Sequence, residues 1–177
     1  MQIDGIEAEP GVDVAAQHGF EPYVTVRFGR VEVRADSIIS FPEGLIGLGG
    51  NRYTLIKRKS AGPFAWLQSL SDPALALPVT NPHRFFSGYA VEVEDDQSQR
   101  LGIGEGNAAD VYVTVTVARA VSEITVNLKA PILIFGTRGY QVINRRPGMA
   151  VKTPLFSGDA DVAAAGDRVS DASAPPA

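Results

Sequence analysis

Few side chains in this sequence could carry covalent chemistry. There are two histidines, His18 and His83, and no cysteine, which excludes disulfides, thiolate nucleophiles and thiolate metal ligands and suits a reducing compartment. A zinc site would need both distant histidines plus carboxylates, and nothing in their spacing gathers such a set; no metal and no cofactor is expected. A serine nucleophile would need a base beside it, and no Gly-x-Ser-x-Gly motif occurs. His83, in "NPHRFF", reads as a loop-packing histidine, and His18 falls in an acidic terminal stretch. The glycines of "GIGEGN" (102–107) superficially match a dinucleotide loop. That loop follows a strand and opens a helix, whereas this one precedes the valine run 111–117. It reads as a connection. The sequence offers no enzyme and no small-molecule substrate.

What remains is charge. "VEVEDD" (91–96) gathers Glu92, Glu94, Asp95 and Asp96. It lacks the glycine turn and spaced ligands of a calcium loop, so it reads as a solvated edge or as an acidic patch for a basic partner. Basic residues cluster at Lys57, Arg58 and Lys59 and at Arg145 and Arg146. An RNA-binding surface would interleave aromatics with such charges. Tyr53, Phe64 and Trp66 lie near, but their alternation reads first as core, and nucleic-acid binding is the disfavoured alternative.

The net charge of −4 hides an asymmetry. Residues 1–22 hold five acids and no Lys or Arg, and residues 158–177 hold four acids and one Arg. Residues 23–157 hold 15 Lys and Arg against 11 Asp and Glu, a net of +4. The acidic balance therefore belongs to the ends, and arguments about partners should use the body. Both ends are small, polar and interrupted by proline, so residues 1–22 and 157–177 are expected to be disordered tails around one domain, 23–156. No apolar run reaches the ~18 residues of a membrane span. The first residues carry no basic start, so the chain is expected in the cytoplasm, as a monomer.

The elements that must position these groups read as strands. "YVTVRFGRVEVRA" alternates Val24, Val26 and Phe28 with Thr25 and Arg27, turns at Gly29-Arg30, and resumes with Val31 and Val33, a hairpin. "SIISF", residues 53–57, 63–70 and 75–79 follow, with Pro78 arguing for an edge or bulge. Residues 89–94 alternate again. In "VYVTVTVA", Val111, Val113, Val115 and Val117 share one face and Tyr112, Thr114 and Thr116 the other. Residues 124–135 and 140–144 complete the set. Helix signal is confined to 95–102, with Asp95 or Asp96 as N-cap, and a turn at 81–86. This density of short strands predicts an all-β fold, a sandwich or a small barrel.

In "SFPEGLIGLGG" (40–50), three aliphatics, Leu45, Ile46 and Leu48, stand among glycines. Pro42 stops the strand and the glycines permit a tight return. The loop reads as a cap over one mouth of the barrel, with partner contact as the other reading.

The order of these pieces resembles the FliW family of flagellar assembly factors. Its marks are Phe41-Pro42-x-Gly44, Leu67-Gln68-Ser69 followed by Asp72, Asn81-Pro82 with Phe85-Phe86, and Asn127-Leu128-x-Ala130-Pro131. The resemblance covers about Tyr23 to Pro154; the two terminal extensions lie outside it. It implies a small, mostly antiparallel β-barrel that catalyses nothing. The implied partners are CsrA, a dimeric RNA-binding repressor of flagellin translation, and flagellin itself before export, competing for one protein. On that view Leu45, Phe85 and Phe86 could line a groove for an amphipathic flagellin helix. Ile46 is a further contact, and Glu92, Glu94, Asp95 and Asp96 would face the basic regulator. Asn81-Pro82 and Ala130-Pro131 are read as backbone turns.

Overall fold

A computed structural model describes residues 19–102 and 108–156. The expectations for both tails and for most of "GIGEGN" lie outside the described residues. Among the described residues, eleven strands and one α-helix are formed: β1 (Phe20–Thr25), β2 (Gly29–Arg34), β3 (Ile38–Ser40), β4 (Arg52–Ile56), β5 (Phe64–Ser69), β6 (Ala76–Thr80), α1 (Asp95–Leu101), β7 (Asp110–Thr116), β8 (Thr125–Val126), β9 (Ile132–Phe135), β10 (Arg138–Gln141) and β11 (Thr153–Pro154). The first strand thus begins at Phe20, ahead of the Tyr23 boundary read from sequence.

Seven strands close into a barrel in the order β9-β10-β3-β4-β5-β6-β7, with β7 returning to β9. Every pairing is antiparallel except β10 on β3, which meet at Arg138↔Ser40. Closure removes the exposed edges that would template aggregation. β8 leaves β7 and carries β11, a flap outside the barrel.

Alternation sends one side chain in two inward. The interior holds Ile39, Tyr53, Leu67, Val79, Tyr112, Ile132 and Ile134, with Phe41 and Leu45 entering from the loop after β3. A second core lies outside the barrel wall: Phe86, Tyr89, Val113, Val115, Val126 and Leu128. β7 serves both, so its two faces go to different cores, Tyr112 inside and Val113 and Val115 against the flap.

Several local expectations are corrected. The hairpin turns at residues 26–28 rather than at Gly29-Arg30: Gly29, at φ +68°, opens β2 opposite Thr25. Thr25 Oγ1 fixes the turn, accepting from Phe28 N at 3.0 Å and donating to Gly29 O at 3.0 Å. The hairpin is a separate two-stranded ribbon, and its alternation turns Val24 and Val26 outward; they are 71% and 77% exposed. It is tied down by Val26 N donating to Pro73 O (2.9 Å) and by an edge-on contact of Phe28 with Trp66.

Residues 89–94 form no strand, because the neighbouring chain satisfies them through a side chain rather than a ladder. Residues 124–135 are two strands, broken where Asn127 Oδ1 accepts from Lys129 N (3.1 Å) and Ala130 N (3.0 Å). The cap of α1 is Glu94, with Asp95 and Asp96 in the first turn and Gly102 in the left-handed C-cap. Pro78, as read, borders an edge: it pairs with Trp66 on the β5 side, while on the other side the β6–β7 ladder stops at Val79.

Candidate partner-binding surface

The loop after β3 is built for closure. Phe41 is fully buried and packs edge-on against Tyr53. Gly44 N donates to Phe41 O (2.9 Å) and Leu48 N to Leu45 O (3.0 Å), tight turns served by the positive φ of Gly44 and Gly47. Leu45 is 4% exposed, and Leu48 packs against the same core. Ile46 points the other way, 61% exposed, while its N–H donates to Gln141 Oε1 (2.8 Å). The one loop therefore seals the barrel with Leu45 and Leu48 and presents Ile46.

A 3-10 turn over Pro82–Arg84 starts where Asn81 Oδ1 accepts from His83 N (2.9 Å). It turns Phe86 into the second core at 6% exposure. Phe85 is half-buried, stacked on Phe64 and edge-on to Phe156. The exposed His83 lays its ring against Tyr89. Leu45 and Phe86 belong to separate cores, so a single groove lined by Leu45, Phe85 and Phe86 does not form. The Asn81–Pro82 and Ala130–Pro131 bonds are trans.

The acidic segment is held outward by a buried amide. Asn144, with no exposed surface, accepts from Glu92 N (3.0 Å) and Arg146 N (3.1 Å) through Oδ1 and donates to Ala90 O (2.9 Å) through Nδ2. Arg145 N donates to Glu92 O at 2.7 Å. Each bond made offsets the cost of burying the amide, and this clamp fixes the backbone of 90–92 without a ladder. The Tyr89 hydroxyl, donating to Leu128 O, closes the clamp from below; burial pushes its pKa up to about 12. Glu92, Glu94, Asp95 and Asp96 are all exposed. Glu94 pairs with Arg145; among the described residues no ion pair engages Glu92, Asp95 or Asp96. The result is an acidic ridge running into the first turn of α1, whose last turn is tied by Arg100 to Glu43 of the β3 loop. Sequence reasoning found the acids but missed Asn144, for which an Asn closing an apolar run is a weak signal.

The Leu67-Gln68-Ser69…Asp72 pattern has a structural purpose. Gln68 Nε2 donates to Ser69 O (2.9 Å) and Leu75 O (3.0 Å), and Ser69 Oγ accepts from Ser71 N and Asp72 N, so the β5–β6 turn is organised from within. The positions of the candidate residues thus divide between frame and outward face. Among the described residues the outward face carries Ile46 and the four acids Glu92, Glu94, Asp95 and Asp96.

Comparison with known proteins agrees. The family model described as "FliW protein" matches residues 23–155. The flagellar assembly factor FliW of Geobacter sulfurreducens is 33% identical over 146 residues, 81% of this chain and 92% of that protein. That of Lachnospira eligens is 38% identical over 137 residues, 73% and 90% respectively. A crystal structure of the flagellar assembly factor FliW superposes with a TM-score of 0.70 at 30% identity, covering 77% of this chain and 98% of that one. Motif order, closed barrel and these likenesses coincide, and the chain belongs to the FliW family of flagellar assembly factors.

Proposed function

We propose that this protein acts by binding two polypeptides, CsrA and flagellin, and catalyses no reaction. Held by CsrA, it relieves repression of flagellin synthesis; held by flagellin, it is withdrawn from CsrA, so that unexported flagellin limits its own production in the cytoplasm. The observation that carries this reading is the acidic ridge, anchored at Glu92 by the Asn144 clamp and continued by Asp95 and Asp96 in the first turn of α1, with Glu92, Asp95 and Asp96 left without ion pairs among the described residues. The folded body is net positive, so attraction for a basic RNA-binding regulator must be local, and this ridge is where it is local. Such charges set encounter rate and salt dependence more than final affinity.

The test is capture of purified CsrA and of flagellin by the full chain. Reversing Glu92, Asp95 and Asp96 to lysine should slow CsrA association and flatten its salt dependence, with the thermal melt unchanged. Retention of neither partner at micromolar concentration by folded protein would overturn the reading.

A further inference from the structure

A second surface, opposite in character to the ridge, opens where the β6–β7 ladder stops. β6 meets β7 only at Val79↔Thr114 and Thr80↔Val113. The next residue of β6 is Pro78, which has no N–H to continue the ladder. β7 pairs instead with β8, at Val115↔Val126. On the outer face this fork leaves a groove of ≈ 290 Å³ lined by Phe64, Trp66, Pro78, Val115, Val117 and Ile124. Val117 at its lip is 64% exposed, and Val121 nearby is 62% exposed.

Phe64 also walls an adjoining pocket of ≈ 250 Å³, whose polar lining includes Lys57, Arg58, Asn81, Arg84 and a single acid, Asp110. The Arg27 guanidinium lies 4.1 Å over the Trp66 ring and that of Arg58 5.0 Å over Phe28. Among the described residues, Arg27, Lys57, Arg58 and Arg84 have no carboxylate within ion-pair distance. The cations elsewhere on the barrel that do pair, such as Arg52, Arg100 and Arg145, find their acids locally. An apolar groove continuous with uncompensated cations marks an interaction site.

The occupant must bring an apolar face for the fork and carboxylates for its basic end. Single-stranded RNA would stack on Trp66 and Phe64, but the other walls, Pro78, Val115, Val117 and Ile124, are aliphatic and offer bases no ring and phosphates no donor. We propose that the β6–β7 fork binds an acidic amphipathic segment of a partner polypeptide, its apolar side chains seated against Trp66 and Val117 and its carboxylates toward Lys57, Arg58 and Arg84. This rests on the reading of the protein as a polypeptide binder and adds a site whose charge preference is the reverse of the ridge's.

Trp66 is the only tryptophan of the chain, so its fluorescence reports the groove directly. The full-length protein is titrated with a helical peptide bearing a leucine face and a glutamate face, with the same peptide carrying lysines for glutamates, and with a single-stranded RNA oligonucleotide. The expected result is a Trp66 response to the glutamate peptide at an affinity at least about tenfold above the lysine peptide. The pair Lys57→Glu and Arg84→Glu should weaken it by about tenfold with the melt unchanged, and Val117→Asp, an exposed position, should do likewise. Equal response to both peptides, no response, or tighter binding of the RNA overturns the proposal. Capture of CsrA and flagellin is scored separately on the same protein: its absence strikes the family-based function, whereas indifference of Trp66 to the glutamate peptide strikes the fork alone.

Discussion

Asn144 and Gln68 are wholly buried amides that bond to backbone, and each replaces regular structure where the chain has none. Their roles differ in how far the sequence betrays them. Gln68 stands in a recognisable Leu-Gln-Ser…Asp pattern that announces a turn, while Asn144 acts on residues some fifty positions away, a pairing no local pattern encodes. The same distance hid the backbone of the acidic ridge: Glu92 and Glu94 alternate as a strand would, but their partner is a side chain. Tyr89 under the clamp gives this corner a measurable signature. Its phenol holds the proton to about pH 12 when folded, against an ordinary value of 10.0, because burial disfavours the phenolate. A raised folded-state pKa contributes stability that is full below pH 10 and is lost as the pH rises through 12. Denaturant melts across that window should show a declining midpoint, and Tyr89→Phe should flatten the decline even if it lowers the midpoint at neutral pH.

Elements were legible where alternation met a wall. The segments read at 53–57, 63–70 and 75–79 appear as β4, β5 and β6 because their inward residues, Tyr53, Leu67 and Val79, fill the barrel. The hairpin was legible as a hairpin but not in its facing, since its buried face carries Tyr23, Thr25, Val31 and Val33 and turns Val24 and Val26 outward. Packing between elements is close where β10 crosses the β3 loop: a Cβ added to Gly139 would sit 2.4 Å from the Phe41 ring. Gly139→Ala is therefore expected to cost about 1–3 kcal/mol by overpacking, read as a lowered denaturation midpoint. The two phenylalanines after Asn81 should separate cleanly. Phe86→Ala, from the second core, should cost about 3–5 kcal/mol. Phe85→Ala, half-buried, should cost distinctly less in the same melt; equal losses would show that both rings are core.

At the scale of the molecule, the frame and the working surfaces come from different signals. Strand density pointed to a sandwich or a small barrel, and the order of short motifs carried the family and, through it, the mostly antiparallel barrel. The fork at Pro78 was announced only as an irregularity, because a proline predicts a break in pairing without saying which strand departs. The expectation that the domain folds without the segment before it is testable. Gly19 O accepts from Ala35 N, and β1 begins at Phe20. Deleting 1–18 is expected to leave the cooperative melt in place, and loss of cooperativity would show that the segment is part of the domain. The seam at Arg138↔Ser40 has a consequence for birth as well as for shape. The staves on either side of it are nearly a hundred residues apart in the chain, so a protein leaving the ribosome cannot hoop itself shut until almost all of it has emerged. Throughout that interval its greasy lining is open to whatever the cell offers as a guardian.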